Sequence, residues 1–148
     1  MATQPSTGFA LTLERTIAAP PEKVFDAFTQ AATLASWFGP SDDYTCTVPV
    51  IEPRAGGRYR IEMRHSGGNV HVVSGVYEEV ARPRRLIFSF AWENMPERGH
   101  SRVTVSFEPA GAGTKLVLFQ EQLPTAETRE AHTAGWTGCL SKLVKLLS

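Results

Sequence analysis

The chain has 148 residues, with 15 Lys plus Arg against 15 Asp plus Glu, 42% hydrophobic residues and 20% charged residues. A chain of this length buries roughly 68–70% of its unfolded surface as one domain, and its formal net charge of zero offers no positive field to nucleic acid or anionic lipid. The composition excludes a disordered or fibrous protein, and no apolar run approaches the roughly 18 residues of a membrane helix.

The start of the chain is polar and has neither a charged segment nor an apolar segment of the kind found in secretory signals. We therefore expect residues 1–8 to be a flexible tail and the protein to be cytoplasmic. From Phe9 to about Ala18, apolar and polar residues alternate, which is typical of a strand with one buried face. We expect a single domain over residues 9–148.

Two short helices are predicted after this first strand. Pro21 suits the first turn of a helix, and Val24 and Phe28 share one face of it. A second helix is expected over about residues 31–37, because Gly39 and the proline after it cannot continue a helix.

Six further strands are predicted, because period two persists between clusters of Gly and Pro. The Ser-Gly-Gly-Asn segment at 66–69 is a strong hairpin turn, and Pro49 indicates an edge strand or a bulge. These strands are expected at about residues 44–51, 58–65, 70–80, 85–92, 101–108 and 114–122.

After Pro124 the pattern becomes helical, with Thr125 as a suitable N-cap. A helix of about 24 residues, roughly 36 Å long, needs a broad apolar partner, and the inward face of an antiparallel sheet supplies one. A curled sheet around a helix often fails to close at one end, which leaves a cavity. The apolar stripe of the helix comprises His132, Trp136, Cys139, Leu140, Leu143, Val144 and Leu147.

The chain contains the segments AAPPEKVF (18–25), WFGP (37–40), GGRYRIEM (56–63), GVYEEV (75–80) and PRRLIF (83–88), with Gly135, Trp136 and Leu140 near its end. In this order and spacing, these segments resemble the SRPBCC superfamily, also called the START or Bet v 1-like helix-grip fold. Within it the chain is most similar to bacterial single-domain proteins related to the activator of Hsp90 ATPase, the AHSA1-like group. The resemblance implies an α+β fold: a curved antiparallel sheet of six to seven strands wrapped around a long C-terminal helix, with two short helices between strands 1 and 2.

The space between the last helix and the sheet is the candidate binding site. Its aromatic stripe either fills a core or lines an open pocket, and the convergence of large rings with Gly57, Gly75 and Gly135 favours the pocket. The expected lining is Trp37, Tyr59, Met63, Phe88, Phe90, Trp92, Leu118, Gln120, His132, Trp136 and Cys139.

His132 and Gln120 are the polar members of this lining. Buried polar groups need partners, so the two residues either satisfy one another or orient a carbonyl or hydroxyl of a ligand. The resemblance also implies a third use, because polyketide cyclases of this fold move protons, and His132 beside a hydroxyl such as that of Tyr59 would allow this.

The sequence lacks the usual signals for a metal or a cofactor, and we expect neither. His65 and His71 flank the 66–69 turn without a third ligand at metal spacing, so a solvated hairpin is expected. There is no phosphate-binding glycine loop, nucleophile elbow or dinucleotide fingerprint. Cys46 and Cys139 lack CxxC spacing and are interpreted as packing residues.

Three functions remain open at this point. The first is binding of a small apolar or aromatic ligand in the cavity. The second is a stress or chaperone interaction like that of Hsp90 activators, although the resemblance is only to their C-terminal domain, and the N-terminal domain that chiefly engages the chaperone has no counterpart in the 148 residues. The third is a cyclase-like or isomerase-like enzyme that uses the same cavity. Monomer and homodimer are both open.

Overall fold

A computed structural model describes residues 8–148. The tail expected at residues 1–8 therefore falls almost wholly outside the described residues. A 3₁₀ turn at Pro96–Arg98 interrupts the loop before the sixth strand. The elements are β1 (Phe9–Ile17), α1 (Pro21–Thr29), α2 (Ala31–Trp37), β2 (Tyr44–Ile51), β3 (Arg58–His65), β4 (Val70–Ala81), β5 (Arg85–Trp92), β6 (His100–Ala110), β7 (Gly113–Leu123) and α3 (Ala126–Leu147).

All seven strands form one antiparallel sheet in the order β1-β7-β6-β5-β4-β3-β2. Strands β2 to β7 form a meander, and β1 pairs with β7, so β1 and β2 are the two edges. The helices α1 and α2 carry the chain from one edge to the other. Pro49 lies on edge strand β2, at an irregularity in its register between Thr47 and Val50. The predicted fold class is confirmed: a curved antiparallel sheet with two short helices between β1 and β2.

The C-terminal helix α3 begins as predicted, with the side chain of Thr125 accepting a hydrogen bond from the Thr128 N–H at 3.0 Å. Its 22 residues span about 33 Å at ~1.5 Å per residue. The predicted stripe faces the sheet, and of its seven members Val144 alone is only half-buried. The remaining six are buried, and α3 thus covers much of the concave face.

The short helices α1 and α2 pack on the same concave face as α3 and complete the core there. Phe25 and Phe28 pack edge-on against Phe107 of β6, with ring centroids 5.3 and 5.4 Å apart. The Trp37 indole N–H donates to the carbonyl of Ala27 at 2.8 Å, which ties α2 to α1. Edge-to-face packing of this kind adds to the free energy gained from burial.

Formal charges lie outside this core. The buried polar residues of the described chain are Thr, Ser, Gln and His, and none is Asp, Glu, Lys or Arg. Within residues 8–148, no helix has the length and apolar character needed to cross a membrane.

Gly138 is the place where α3 passes closest to the chain after α2. A Cβ on Gly138 would lie 2.0 Å from the carbonyl oxygen of Pro40, whereas a Cβ on Gly135 would meet no atom within 4 Å. The two glycines lie about one turn apart on the same helix, so the same substitution at each position makes a matched pair of variants.

We expect Gly138→Ala to lower the free energy of unfolding by about 1–3 kcal/mol, because backbone atoms must move to admit the methyl group. Gly135→Ala should instead raise it by roughly 0.5–1 kcal/mol, since Ala is the better helix former and has room. Urea unfolding of both variants measures the difference. Equal effects of the two substitutions would show that α3 does not pass this close to Pro40.

Candidate functional site

A cavity of about 460 Å³ lies between the first half of α3 and the concave face of strands β2 to β5. Small-molecule sites in proteins are typically about 300–1,000 Å³. The cavity is partly open to solvent, and its walls come from four strands, α3, the segment after α2 and the loop after β5. The lining residues are Phe38, Pro40, Tyr44, Met63, His71, Phe90, Trp92, Met95, Arg98, Ala131, His132, Ala134, Gly135, Trp136 and Cys139.

Nine of the eleven residues expected to line the site lie on one of two neighbouring cavities. Six of them line the large cavity: Met63, Phe90, Trp92, His132, Trp136 and Cys139. Trp37, Tyr59 and Phe88 instead line a second, inner void of about 20 Å³, which has room for about one water molecule.

Three aromatic side chains, Phe38, Phe90 and Trp136, line both the large cavity and the inner void. The Trp136 ring lies 5.7 Å from each of the other two rings, measured between centroids. This aromatic partition separates Tyr59 from the space beside His132. The Tyr59 hydroxyl donates to the Ser89 carbonyl at 2.7 Å, and burial raises the pKa of Tyr59 well above 10.0.

Leu118 and Gln120 line neither cavity, which corrects the expected lining at two positions. Both are fully buried on β7. The Trp136 indole N–H donates to Gln120 Oε1 at 2.9 Å, so α3 lies directly against the sheet at this point and leaves no space. Strand alternation assigned these side chains to the inward face correctly, but alternation does not show where the helix covers that face.

The amide nitrogen of Gln120 is also hydrogen-bonded. Its Nε2 donates to Ser101 Oγ at 2.8 Å, and the Ser101 hydroxyl donates to the Phe90 carbonyl at 3.1 Å. A chain of hydrogen bonds therefore runs from α3 through β7 and β6 to β5. Gln120 and His132 do not satisfy one another, because each has other partners within the protein.

His132 is held by two hydrogen bonds. Its Nδ1 lies 2.8 Å from the carbonyl oxygen of Thr128, which requires a proton on Nδ1, and its Nε2 accepts from the Trp92 indole N–H at 3.0 Å. This arrangement fixes the neutral tautomer with the proton on Nδ1. Burial lowers the pKa of His132 below 6.5, and the positive charge of Arg98 lowers it further.

Cys139 contributes a neutral thiol to the wall. Burial raises its pKa to about 11, and its sulfur accepts a hydrogen bond from the Gly39 N–H at 3.2 Å. A thiol with this pKa carries little thiolate at neutral pH, which makes it a weak nucleophile. The side chain acts as an apolar packing surface, as the sequence indicates.

Sequence reasoning missed three residues of the cavity that carry polar groups, Tyr44, His71 and Arg98. His71 pairs with Met63 across β3 and β4, so it lies on the inward face, and its interpretation as a solvated hairpin residue is wrong. Its Nδ1 is buried and has no hydrogen-bond partner. Counting outward from the 66–69 turn would have placed His71 opposite Arg64, whereas the observed register is centred on Gly67, with the His65 N–H bonded to the Asn69 carbonyl. Arg98 lies in the loop between β5 and β6, which has no periodic pattern, and no sequence signal pointed to it.

His65 and His71 are not arranged as metal ligands. The Tyr44 ring packs against both imidazoles, with centroid separations of 4.9 and 6.2 Å. Within residues 8–148 there is no group of three or more His, Cys, Asp or Glu side chains that could hold a metal ion.

The architecture and the cavity are those of a helix-grip protein, and comparison with known proteins gives the family. The model of the family described as "Activator of Hsp90 ATPase homolog 1-like protein" matches residues 18–148, so the chain belongs to this family, AHSA1. No curated protein matches the sequence significantly.

Solved structures of similar proteins share the whole fold. Protein CV1439 from Chromobacterium violaceum is 29% identical, with a TM-score of 0.86 over 93% of this chain and 96% of that one. The AHSA1 protein from Silicibacter pomeroyi is also 29% identical, with a TM-score of 0.81 over 94% of this chain and 97% of its own. A protein from Rhodobacter sphaeroides is 27% identical, with a TM-score of 0.81 over 97% and 95% of the two chains.

The lowered pKa of His132 makes stability depend on pH. As the pH falls below about 6.5, the unfolded chain binds a proton at this residue while the folded chain does not, so the free energy of unfolding decreases. We expect His132→Gln to show a shallower decrease than the wild-type protein from pH 6.5 down to about pH 5. Urea unfolding at a series of pH values measures both slopes.

The matched control is His100→Gln, because His100 is exposed and lies outside the cavity. This variant should keep the wild-type slope. The pKa values of the Asp26 and Glu93 carboxyls are lowered from 3.8 and 4.5 by their arginine partners. These two groups therefore change the free energy of unfolding mainly at a lower pH than His132 does. An unchanged slope in His132→Gln would contradict the assignment of a neutral, buried imidazole.

Proposed function

We propose that this protein binds a small apolar or aromatic molecule in the cavity between α3 and the sheet, with the cytoplasm as its expected location. The observation that carries the proposal is the cavity of about 460 Å³, walled by aromatic rings, two methionines and a neutral thiol. A concave apolar site with few polar groups is the usual form of a small-molecule site.

The small side chains of α3 support this proposal. Ala131, Ala134 and Gly135 stand where the helix borders the cavity, and a Cβ on Gly135 would meet nothing within 4 Å. Larger side chains at these positions would occupy the space. A filled core would be expected to have larger side chains at these positions, because protein interiors are close-packed.

Several polar atoms of the wall are already paired within the protein. Both ring nitrogens of His132 are bonded, as are the indole N–H groups of Trp92 and Trp136. A ligand therefore gains mainly apolar contacts in this part of the site. Burying an aromatic molecule with ~150–250 Å² of apolar surface contributes about 4–6 kcal/mol, before the cost of association is subtracted.

The cyclase-like or isomerase-like alternative has weaker support from this geometry. A proton transfer through His132 Nε2 requires that the hydrogen bond from Trp92 first breaks. Tyr59, the hydroxyl suggested by the sequence, lies on the inner void behind the aromatic partition. No Asp or Glu is present in the cavity lining of the described chain.

A chaperone interaction is the second candidate, and the description of the matched family favours it. Its test is the ATPase rate of a purified Hsp90 with and without this protein. Stimulation that is equal for the wild-type protein and for Gly135→Phe would assign the chaperone role to a surface separate from the cavity.

The cavity proposal predicts the effect of filling the space from α3. Gly135→Phe should weaken binding of the neutral fluorescent probe N-phenyl-1-naphthylamine at least tenfold, because the added ring occupies the probe's volume. Fluorescence titration of the probe measures the dissociation constant.

Thr137→Phe is the control for this experiment, since it adds the same ring at an exposed position of α3 outside the cavity. It should bind the probe like the wild-type protein. Unchanged binding in Gly135→Phe would place the probe elsewhere and remove the support for the cavity. Native mass spectrometry of the purified protein, followed by denaturing extraction, then identifies a natural ligand that co-purifies.

A further inference from the structure

We propose that the ligand is an aromatic or apolar molecule that carries one carboxylate, and that Arg98 binds this carboxylate in the cavity. The inference rests on the proposed function, because it names the class of molecule that the same cavity takes. It is carried by the position of Arg98 in the cavity lining, by its lack of a partner and by the absence of acidic side chains from that lining in the described residues.

Arg98 is the one Lys, Arg, Asp or Glu residue in the lining of the large cavity within the described chain. It ends the 3₁₀ turn Pro96–Arg98 in the loop between β5 and β6. The preceding residue, Glu97, is exposed and is not part of the lining. Arg98 is close enough to His132 for its charge to lower the pKa of the imidazole.

Arg98 also lacks the acidic partner that several surface arginines have, among them Arg60, Arg85 and Arg102. Within residues 8–148, its guanidinium makes neither an ion pair nor a hydrogen bond. In contrast, Arg60 pairs with Glu93, and Arg82 makes a two-pronged contact with Asp26 through N–O distances of 2.9 Å. Arg98 thus presents an uncompensated positive charge to the cavity.

The surroundings of Arg98 strengthen its attraction for an anion. Arg98 is only half-exposed and lies beside an apolar cavity, where the attraction between opposite charges is stronger than in bulk water. A guanidinium has donors in a planar fork that match both oxygens of a carboxylate. An apolar ligand that carries such a group would gain affinity without a change in its hydrophobic contacts.

The number of charges limits the ligand class further. One cation suits one negative charge, whereas a phosphate monoester brings about 1.5–2 negative charges at neutral pH. No Lys or second Arg lines the cavity in the described residues, and the phosphate-binding glycine loop is absent from the sequence. A monocarboxylate is therefore the class that matches this site.

A pair of probes with the same apolar body tests the proposal: 2-naphthoic acid, which is an anion at neutral pH, and neutral 2-naphthalenemethanol. Isothermal titration of the wild-type protein should show the acid binding about tenfold or more tightly than the alcohol, since hydrogen bonds to charged groups are the stronger ones. Arg98→Met keeps the apolar stem and removes the charge, so it should abolish this preference while the alcohol still binds. Arg98→Glu should reverse the preference in favour of the alcohol.

Arg84→Met is the matched control, because Arg84 is exposed, lies outside the lining and contributes the same charge. It should keep the wild-type preference for the acid. Equal affinities of acid and alcohol for the wild-type protein, or a preference that survives in Arg98→Met, would overturn the role of Arg98. If the alcohol binds the wild-type protein but not Gly135→Phe, the cavity proposal stands even when the role of Arg98 is overturned. If neither probe binds the wild-type protein, both proposals are overturned.

Discussion

Two indole hydrogen bonds, one buried and one partly buried, attach the first half of the C-terminal helix to the sheet, and the open cavity depends on them. The bond from Trp136 to Gln120 holds the helix against β7, and the bond from Trp92 to His132 joins it to the end of β5. Since an unpaired buried donor or acceptor costs about 1–3 kcal/mol, the helix cannot shift without breaking these contacts. The small residues between the two attachments, Ala134 and Gly135, leave space that this fixed helix does not close.

The same bonds give the cavity its chemical character. They use the polar atoms of two tryptophans and a histidine, so the inner wall offers rings and sulfur atoms to a ligand, and the core holds no formal charge. The equal numbers of positive and negative residues in the sequence are therefore a property of the surface. Arg98 is the exception in the described residues, because it is the one residue with a formal charge in the cavity lining.

Most of the fold follows from local patterns in the sequence. The alternation around Phe90 and Trp92 and the stripe through Trp136 assign the inward side chains correctly, because each pattern depends only on the period of a strand or a helix. Patterns of this kind do not show how two elements pack together. Gln120 was therefore expected in the cavity, although the helix covers it, and Arg98 was missed because its loop has no period.

The central claim is that a small apolar molecule occupies the space beside Trp92 and Trp136, and the three indole N–H signals in the NMR spectrum of isotope-labelled protein test it directly. Trp92 and Trp136 line the cavity, whereas Trp37 lies on the inner void with its N–H bonded to Ala27. On titration with 2-naphthalenemethanol, the signals of Trp92 and Trp136 should shift and that of Trp37 should stay in place. No shift in the two cavity signals, or a larger shift for Trp37, would contradict the claim.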